Sequence, residues 1–304
     1  MDLVPAAGDS LFRAAPGGSP ANVAVGLARL GVPVSLLARL ADDVLGRRLR
    51  AHLEGNGVDL SRAVRATEPS SLAIVALDDN GAAEYDFRVD GTADWQWRDE
   101  ELDGALDGVC ALHSGSLALV LPPGAAALGR LLRTARRTAT VSYDPNCRPL
   151  LMGEAGEVRD RAESVVGVAD VVKASSDDLA WLYPGRSAEE VALDWSARGP
   201  AVVAITLGRD GVVAVAPKTG LVRRPGRPVA VVDTVGAGDS FMSGLLAGLH
   251  GAGLLGAAQR EALRAISAAA LGDVLAAAVL AASITCTRPG AHPPTSAELR
   301  LAQA

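Results

Sequence analysis

Apolar positions recur along this chain with two different periods. Residues 20–30 (PANVAVGLARL) set Val23, Leu27 and Leu30 on one face at helical spacing. Ser19 fits the N-cap of that helix, Pro20 its first turn and Gly31 its stop. Residues 34–38 then read as a strand, and Leu45, Leu49 and Leu53 mark the next helix. Further on, "TVSYD", "DVVK", "AVVAIT" and "VAVVD" are short apolar runs, three of them leading through a polar or glycine-rich turn into helical sequence. Strands alternating with helices predict an α/β fold with a mostly parallel sheet covered by helices. Residues 71–89 differ: "SLAIVAL" and "AEYDFRV" flank the turn "DDNGA", with Tyr85, Phe87 and Val89 alternating. That pattern predicts a half-exposed antiparallel hairpin in a small sheet of its own. Residues 266–286 are almost unbroken apolar sequence, but Asp273 and many small residues interrupt them and no aromatic anchors flank them. The expectation is a buried core helix rather than a membrane span.

Composition narrows the class. The chain has 304 residues, 49% of them hydrophobic, which supplies a large core and argues against disorder. A net charge of −6 gives no basic patch, so nucleic acid is not the expected partner. Cys110, Cys147 and Cys286 are odd in number and far apart, as reduced thiols in a cytoplasmic protein would be. The first residues carry an acid and lack a basic-then-apolar signal pattern.

The chemistry concentrates in "DTVGAGDSFMSG", residues 233–244. Residues 229–232 before it read as a strand; after it, Phe241, Leu245 and Leu249 recur every four residues beside a small-residue face of Ser240, Gly244 and Gly248. A strand, a glycine turn and a helix N-terminus form a ready anion site, because the first N–H groups of a helix lack internal partners. Asp239 beside such a site would repel a phosphate unless it has work of its own, such as taking a proton from an attacking hydroxyl. A dinucleotide fingerprint needs a third glycine where Phe241 stands, and the chain has no Gly-Lys for a P-loop. Asp144, Lys173, Thr206 and Asp233 all fall at or just beyond the carboxyl ends of predicted strands, where open α/β sheets bind ligands.

"DTVGAGDSF" resembles the C-terminal signature of the ribokinase-like (phosphofructokinase B type) carbohydrate kinases, and "GGSPANVAVGLARLG" their N-terminal signature. "SYDPNCRP", "VKASSDDLAWL", "VVAITLGRDG" and "TCTRPGAHPP" follow in family order, so the resemblance runs from about residue 2 to residue 295. It implies a ribokinase-like fold over 1–304, with a mostly parallel central sheet flanked by helices and a small β-sheet lid from about 8–18 and 65–95. It implies transfer of the ATP γ-phosphoryl group to a sugar hydroxyl. Fructose is the favoured acceptor, with a 2-keto-3-deoxy sugar acid or a non-catalytic sugar-binding relative as alternatives.

Site residues follow from the same resemblance. Asp239 would be the base, with Gly236, Ala237 and Gly238 stabilising the moving phosphoryl group. Asp2, Gly17, Gly18, Asn22 and Asp239 would hold the sugar; Arg88 would either read a carboxylate there or sit in solvent. Lys173, Thr206, Gly208, Gly236 and Gly238 would meet the nucleotide. Asp178, where the family often has glutamate, and Asn146 would hold Mg²⁺, Asn146 through water; Arg148 would handle phosphate or serve an ion pair. Asp233, Val235 and Gly290 match the loop where many members bind a monovalent cation such as K⁺. The expected partners are a small sugar and ATP, no membrane, and a second copy through the lid. The family also has a core strand before the position of Asp2. The expectation is therefore that Met1 stands inside a longer reading frame, or that this form folds poorly and has little activity.

Overall fold

The computed structural model describes residues 1–5, 11–77 and 83–303. Elements are numbered in chain order. The first six strands are β1 (Asp2–Pro5), β2 (Phe12–Ala15), β3 (Arg39–Ala41), β4 (Val64–Ala66), β5 (Leu72–Leu77) and β6 (Ala83–Arg88). Four of them form a small sheet in the order β2-β1-β5-β6, while β3 and β4 pair in parallel. The expected hairpin is β5–β6, antiparallel with Ala73 opposite Phe87; its turn lies outside the described residues. The other strands are β7 (Ala111–Gly115), β8 (Thr140–Asp144), β9 (Val171–Ser175), β10 (Val202–Thr206), β11 (Val212–Ala216) and β12 (Gly220–Arg224). They form a six-stranded sheet in the order β12-β11-β10-β9-β8-β7, parallel from β7 to β10 and antiparallel beyond.

The helices are α1 (Ser19–Arg29), α2 (Val44–Gly55), α3 (Gly124–Ala135), α4 (Pro149–Met152), α5 (Ala155–Val166) and α6 (Ser176–Leu182). After them come α7 (Ala188–Ala197), α8 (Ala237–Gly251), α9 (Arg260–Arg264), α10 (Ala268–Cys286) and α11 (Ser296–Gln303). The large sheet is covered on both faces, and the period of two along β10 shows how. Val203 and Ile205 join one core with Leu131, Val158 and Trp195, whereas Val202 and Ala204 join another with Phe241, Leu245 and Leu275. Strands buried on both faces read as unbroken apolar runs, which is why these runs were visible in the sequence. Burying a side chain such as Phe241 contributes roughly 1.5–3 kcal/mol.

The long apolar helix is α10, with mean hydropathy 1.9. It packs along α8, and the small-residue face of α8 is what lets it approach. A Cβ added at Gly244 would lie 2.8 Å from the Ala278 Cα.

Three expectations fail. Residues 34–38 make only an isolated bridge, Ser35 to Asp59, and the strand proper starts at Arg39. Residues 229–232 form no strand; Val231 is 63% exposed, and the Val232 N–H donates to the Cys286 carbonyl instead. Ser19 is not the N-cap of α1: Gly18 holds that place, and the serine hydroxyl bonds elsewhere.

Candidate active site

The N-termini of α1 and α8 meet at one carboxylate. Asp239, in the first turn of α8, accepts a hydrogen bond from the Ser19 hydroxyl at 2.6 Å on Oδ1. It accepts another from the Asn22 amide at 2.8 Å on Oδ2. Ser19 and Asn22 are three apart on α1 and so share a face. The turn into α8 is set by Gly236, its N-cap, at φ +75°, a left-handed conformation that costs other residues strain. Space forbids a side chain there as well, since a Cβ would lie 2.5 Å from the Ala291 Cβ. At Gly238 a Cβ would lie 2.9 Å from Lys173 Nζ.

Lys173 rises from the middle of β9 into this turn. Its ammonium donates to Asp144 Oδ2 at 2.9 Å, and both side chains are almost fully buried. Burial works to lower the Lys173 pKa, but the charges of Asp144, Asp178 and Asp239 outweigh it and the net direction is up. Burial pushes Asp144 up to about 6, even with Lys173 opposing. Ser175 is the N-cap of α6 and Asp178 completes its capping box: Asp178 Oδ2 accepts from the Ser175 N–H and hydroxyl, and Oδ1 accepts from the Cys147 N–H at 2.6 Å. Asn146 sits at φ +36°, a region asparagine tolerates, and its Oδ1 accepts from Arg148 Nη1 at 2.8 Å. Asp233 closes a loop, accepting from the Val235 N–H at 3.0 Å and the Gly290 N–H at 2.8 Å.

Apart from the buried Asp144, these groups line one cavity of about 2320 Å³. Asp2, Gly17, Gly18, Ser19, Asn22 and Asp239 lie on its wall, as do Asn146, Arg148, Lys173, Asp178, Thr206 and Gly208, and the Asp233–Gly238 turn with Gly290. Burial raises the Asp2 carboxyl above its usual range, against the pull of the N-terminal amine and Arg148. Arg88 is the exception among the expected residues. It is off the cavity wall, 67% exposed, and pairs with Asp86 at 2.7 Å. The pleat of β6 explains it, because Phe87 on the other face and Val89 just beyond it line the cavity.

Two features went unread in the sequence. Ser19 reads locally as a cap, and its bond to Asp239 spans 220 positions. Val229, Val231 and Val235 are exposed and line the cavity, forming an apolar wall rather than a strand. An apolar run opening directly into a glycine turn was the available signal.

The profile of the pfkB family carbohydrate kinases matches residues 8–298. A fructokinase of Klebsiella pneumoniae is 35% identical over 257 residues, covering 84% of this chain and 83% of that protein. Among solved structures, a fructokinase with bound ATP from Xylella fastidiosa superposes with a TM-score of 0.90 at 27% identity, covering 99% of this chain and 95% of that one. A fructokinase from Vibrio cholerae O395 in its fructose-, ADP- and calcium-bound form gives 0.82 at 28% identity, covering 99% and 94%.

Proposed function

The chain belongs to the pfkB family of carbohydrate kinases, and from that premise we propose that it phosphorylates fructose at the expense of ATP. The observation that carries the reading is the Asp239 carboxylate, held between two helix N-termini by Ser19 and Asn22. A sugar hydroxyl bound between Asp2, Gly17, Gly18, Asn22 and Asp239 gives its proton to Asp239 as its oxygen attacks the γ-phosphorus. The bond from that phosphorus to the β-phosphate oxygen breaks, and ADP leaves. Backbone N–H groups of the turn Gly236, Ala237 and Gly238 stabilise charge on the group in flight. Such reactions depend mainly on positioning and electrostatics. Thr206, Gly208, Lys173 and the valine wall hold the nucleotide.

Phosphates and water hold most of a Mg²⁺ ion's coordination sphere in kinases, with one or two carboxylates from the protein. Asp178 and Asn146 on the cavity wall fit that demand through water, and bound Mg²⁺ supplies neutralisation of phosphate charge. The closed Asp233 loop with Val235 and Gly290 suits a monovalent cation such as K⁺. The small sheet acts as the lid, with Phe87 and Val89 turned towards the sugar. Exposed Leu11 and Phe12 at its edge are the surface a homodimer through the lid would cover. The outward placement of Arg88 gives no support to a sugar acid as substrate.

The test is ADP release with ATP and Mg²⁺ against fructose, ribose, adenosine and 2-keto-3-deoxygluconate. Fructose is expected to give the highest kcat/KM. Ribose, adenosine or the sugar acid as best acceptor refutes the assignment.

A further inference from the structure

Among the described residues, only two besides glycines take positive φ: Ser116 at +52° and Asn146 at +36°. Asparagine tolerates this region, but serine carries strain there. Ser116 follows β7 and Asn146 follows β8, yet a hydrogen bond joins them. The Ser116 hydroxyl donates to the Asn146 carbonyl at 2.9 Å. Gly115 makes the approach possible. It stands beside Asp144 in the parallel ladder, and a Cβ there would collide with the Asp144 carbonyl oxygen. Both strained residues line the cavity.

The torsions of Asn146 lie between two peptide planes, and both planes are pinned. On the first, the Asn146 N–H donates to Asp144 Oδ1 at 3.1 Å, while Oδ2 of the same carboxylate holds Lys173. On the second, the Asn146 carbonyl accepts from Ser116, and the Cys147 N–H donates to Asp178 Oδ1 at 2.6 Å. A left-handed residue persists only where its surroundings over-determine it. Satisfying the Asn146 carbonyl does not by itself require a strained serine, because Arg148 Nη1 lies 3.4 Å from the same oxygen. What the strain fixes is the direction of side chains. Asn146 Oδ1 accepts from Arg148 Nη1 at 2.8 Å, and both residues line the cavity.

We propose that Ser116 is a positioning residue for the metal and phosphate wall of the site. Its hydroxyl holds the Asn146–Cys147 peptide so that the Asn146 amide meets metal-bound water and the Arg148 guanidinium meets phosphate. This rests on the kinase reading, in which Asn146 serves Mg²⁺ through water. Ser116 touches neither ion nor sugar in this role and acts only through Asn146. Partners one step removed from a metal set its affinity, and losing one typically costs roughly 10–100-fold. The sugar end of the site stands on other elements, Asp2 on β1 and Asn22 on α1, so fructose affinity is independent of this bond.

The test compares the parent with Ser116→Ala, which removes the hydroxyl and keeps the strain, and Ser116→Gly, which removes both. Mn²⁺ stands in for Mg²⁺, and its binding to the enzyme–ADP complex is followed by electron paramagnetic resonance. Calorimetric fructose binding and a thermal melt accompany it. Both variants are expected to weaken Mn²⁺ binding roughly 10–100-fold and to raise the half-saturating Mg²⁺ of turnover alongside. Fructose affinity is expected to stay at the parental value. Ser116→Gly is expected to melt close to the parent, because relieved strain offsets the lost hydrogen bond. Parental Mn²⁺ binding in both variants overturns the proposal and leaves the kinase reading standing. Equal losses of Mn²⁺ and fructose affinity also overturn it, because the whole site has then collapsed. A parent complex that binds Mn²⁺ no better than free ADP does overturns the kinase reading, and the proposal with it.

Discussion

Replacing Asp239 with asparagine separates proton removal from architecture, because the surrounding hydrogen bonds can be kept. In Asp239→Asn the side-chain carbonyl still accepts from the Asn22 amide. The new NH₂ donates to the Ser19 hydroxyl, which can accept as readily as it donates. The Ser19 proton gives up its acceptor but faces the cavity, where water can take it, so the cost to stability is expected at about 1 kcal/mol or less, a few degrees in melting temperature. Alanine would instead strand both donors at roughly 1–3 kcal/mol and confuse the two effects. The kinetic loss is that of a positioned base, ~10²–10⁴-fold in kcat, or roughly 2.7–5.5 kcal/mol in the barrier. The assay is coupled ADP release with fructose, alongside calorimetric ATP binding and a thermal melt of the same preparation. Turnover within about tenfold of the parent, with ATP binding intact, removes Asp239 as the base. A collapsed melting temperature refutes the hydrogen-bond accounting instead.

Gly236→Ala forces a side chain into the left-handed N-cap and against Ala291; about 1–2 kcal/mol of strain and a displaced turn predict a ~10²-fold loss of kcat, and near-parental kcat refutes the cradle. Ser19→Ala removes one of two bonds that orient Asp239 and is expected to lower kcat severalfold with ATP KM unchanged; Ser19→Thr should restore it, and equal losses in both variants contradict a positioning role. Burial, then the charge of Lys173, lowers the His113 pKa to about 4. Its folded value lies below its unfolded one, so its contribution is present above pH ~6.5 and is lost as pH falls towards 4, by roughly 1–3 kcal/mol for a half-buried ring. His113→Gln should flatten denaturant stability across that window, and an unchanged slope refutes the assignment. Saturating fructose should slow hydrogen exchange in β5 and β6 if the small sheet closes; unchanged exchange there rules the lid out.

The strands β8, β9 and β10 were legible because both faces are buried, which writes an unbroken apolar run into each. The same signal misled at residues 229–232. Those valines are β-branched and apolar like a strand, but they are left exposed along the cavity, and periodicity carries no information about which surface will cover them. Arg88 was decidable in principle. The alternation of Phe87 and Val89 already set the inward face of the hairpin, and an intervening residue must point away. Ser19 was not decidable, because a serine before a helix satisfies local capping rules equally well, and only the docking of α1 on α8 redirects its hydroxyl.

The segment Gly-Ala-Gly-Asp therefore answers three separate physical demands rather than one. Gly236 supplies a backbone conformation and clears Ala291, as a tight turn requires. Gly238 has an ordinary helical backbone, so its missing side chain serves a neighbour: the ammonium of Lys173 occupies the space. A lysine buried that deeply is tolerable only when paired, and Asp144 at 2.9 Å provides the partner. The pair in turn places a fixed positive charge beneath a helix N-terminus that already attracts anions. With phosphate bound as proposed, lysine, helix and the donors from α1 would all offset the repulsion between it and Asp239. Had Gly238 carried a side chain, the lysine ammonium would have to shift away from it, at the expense of its geometry with Asp144. Glycine at position 238 thus leaves room for the ammonium that pairs with Asp144.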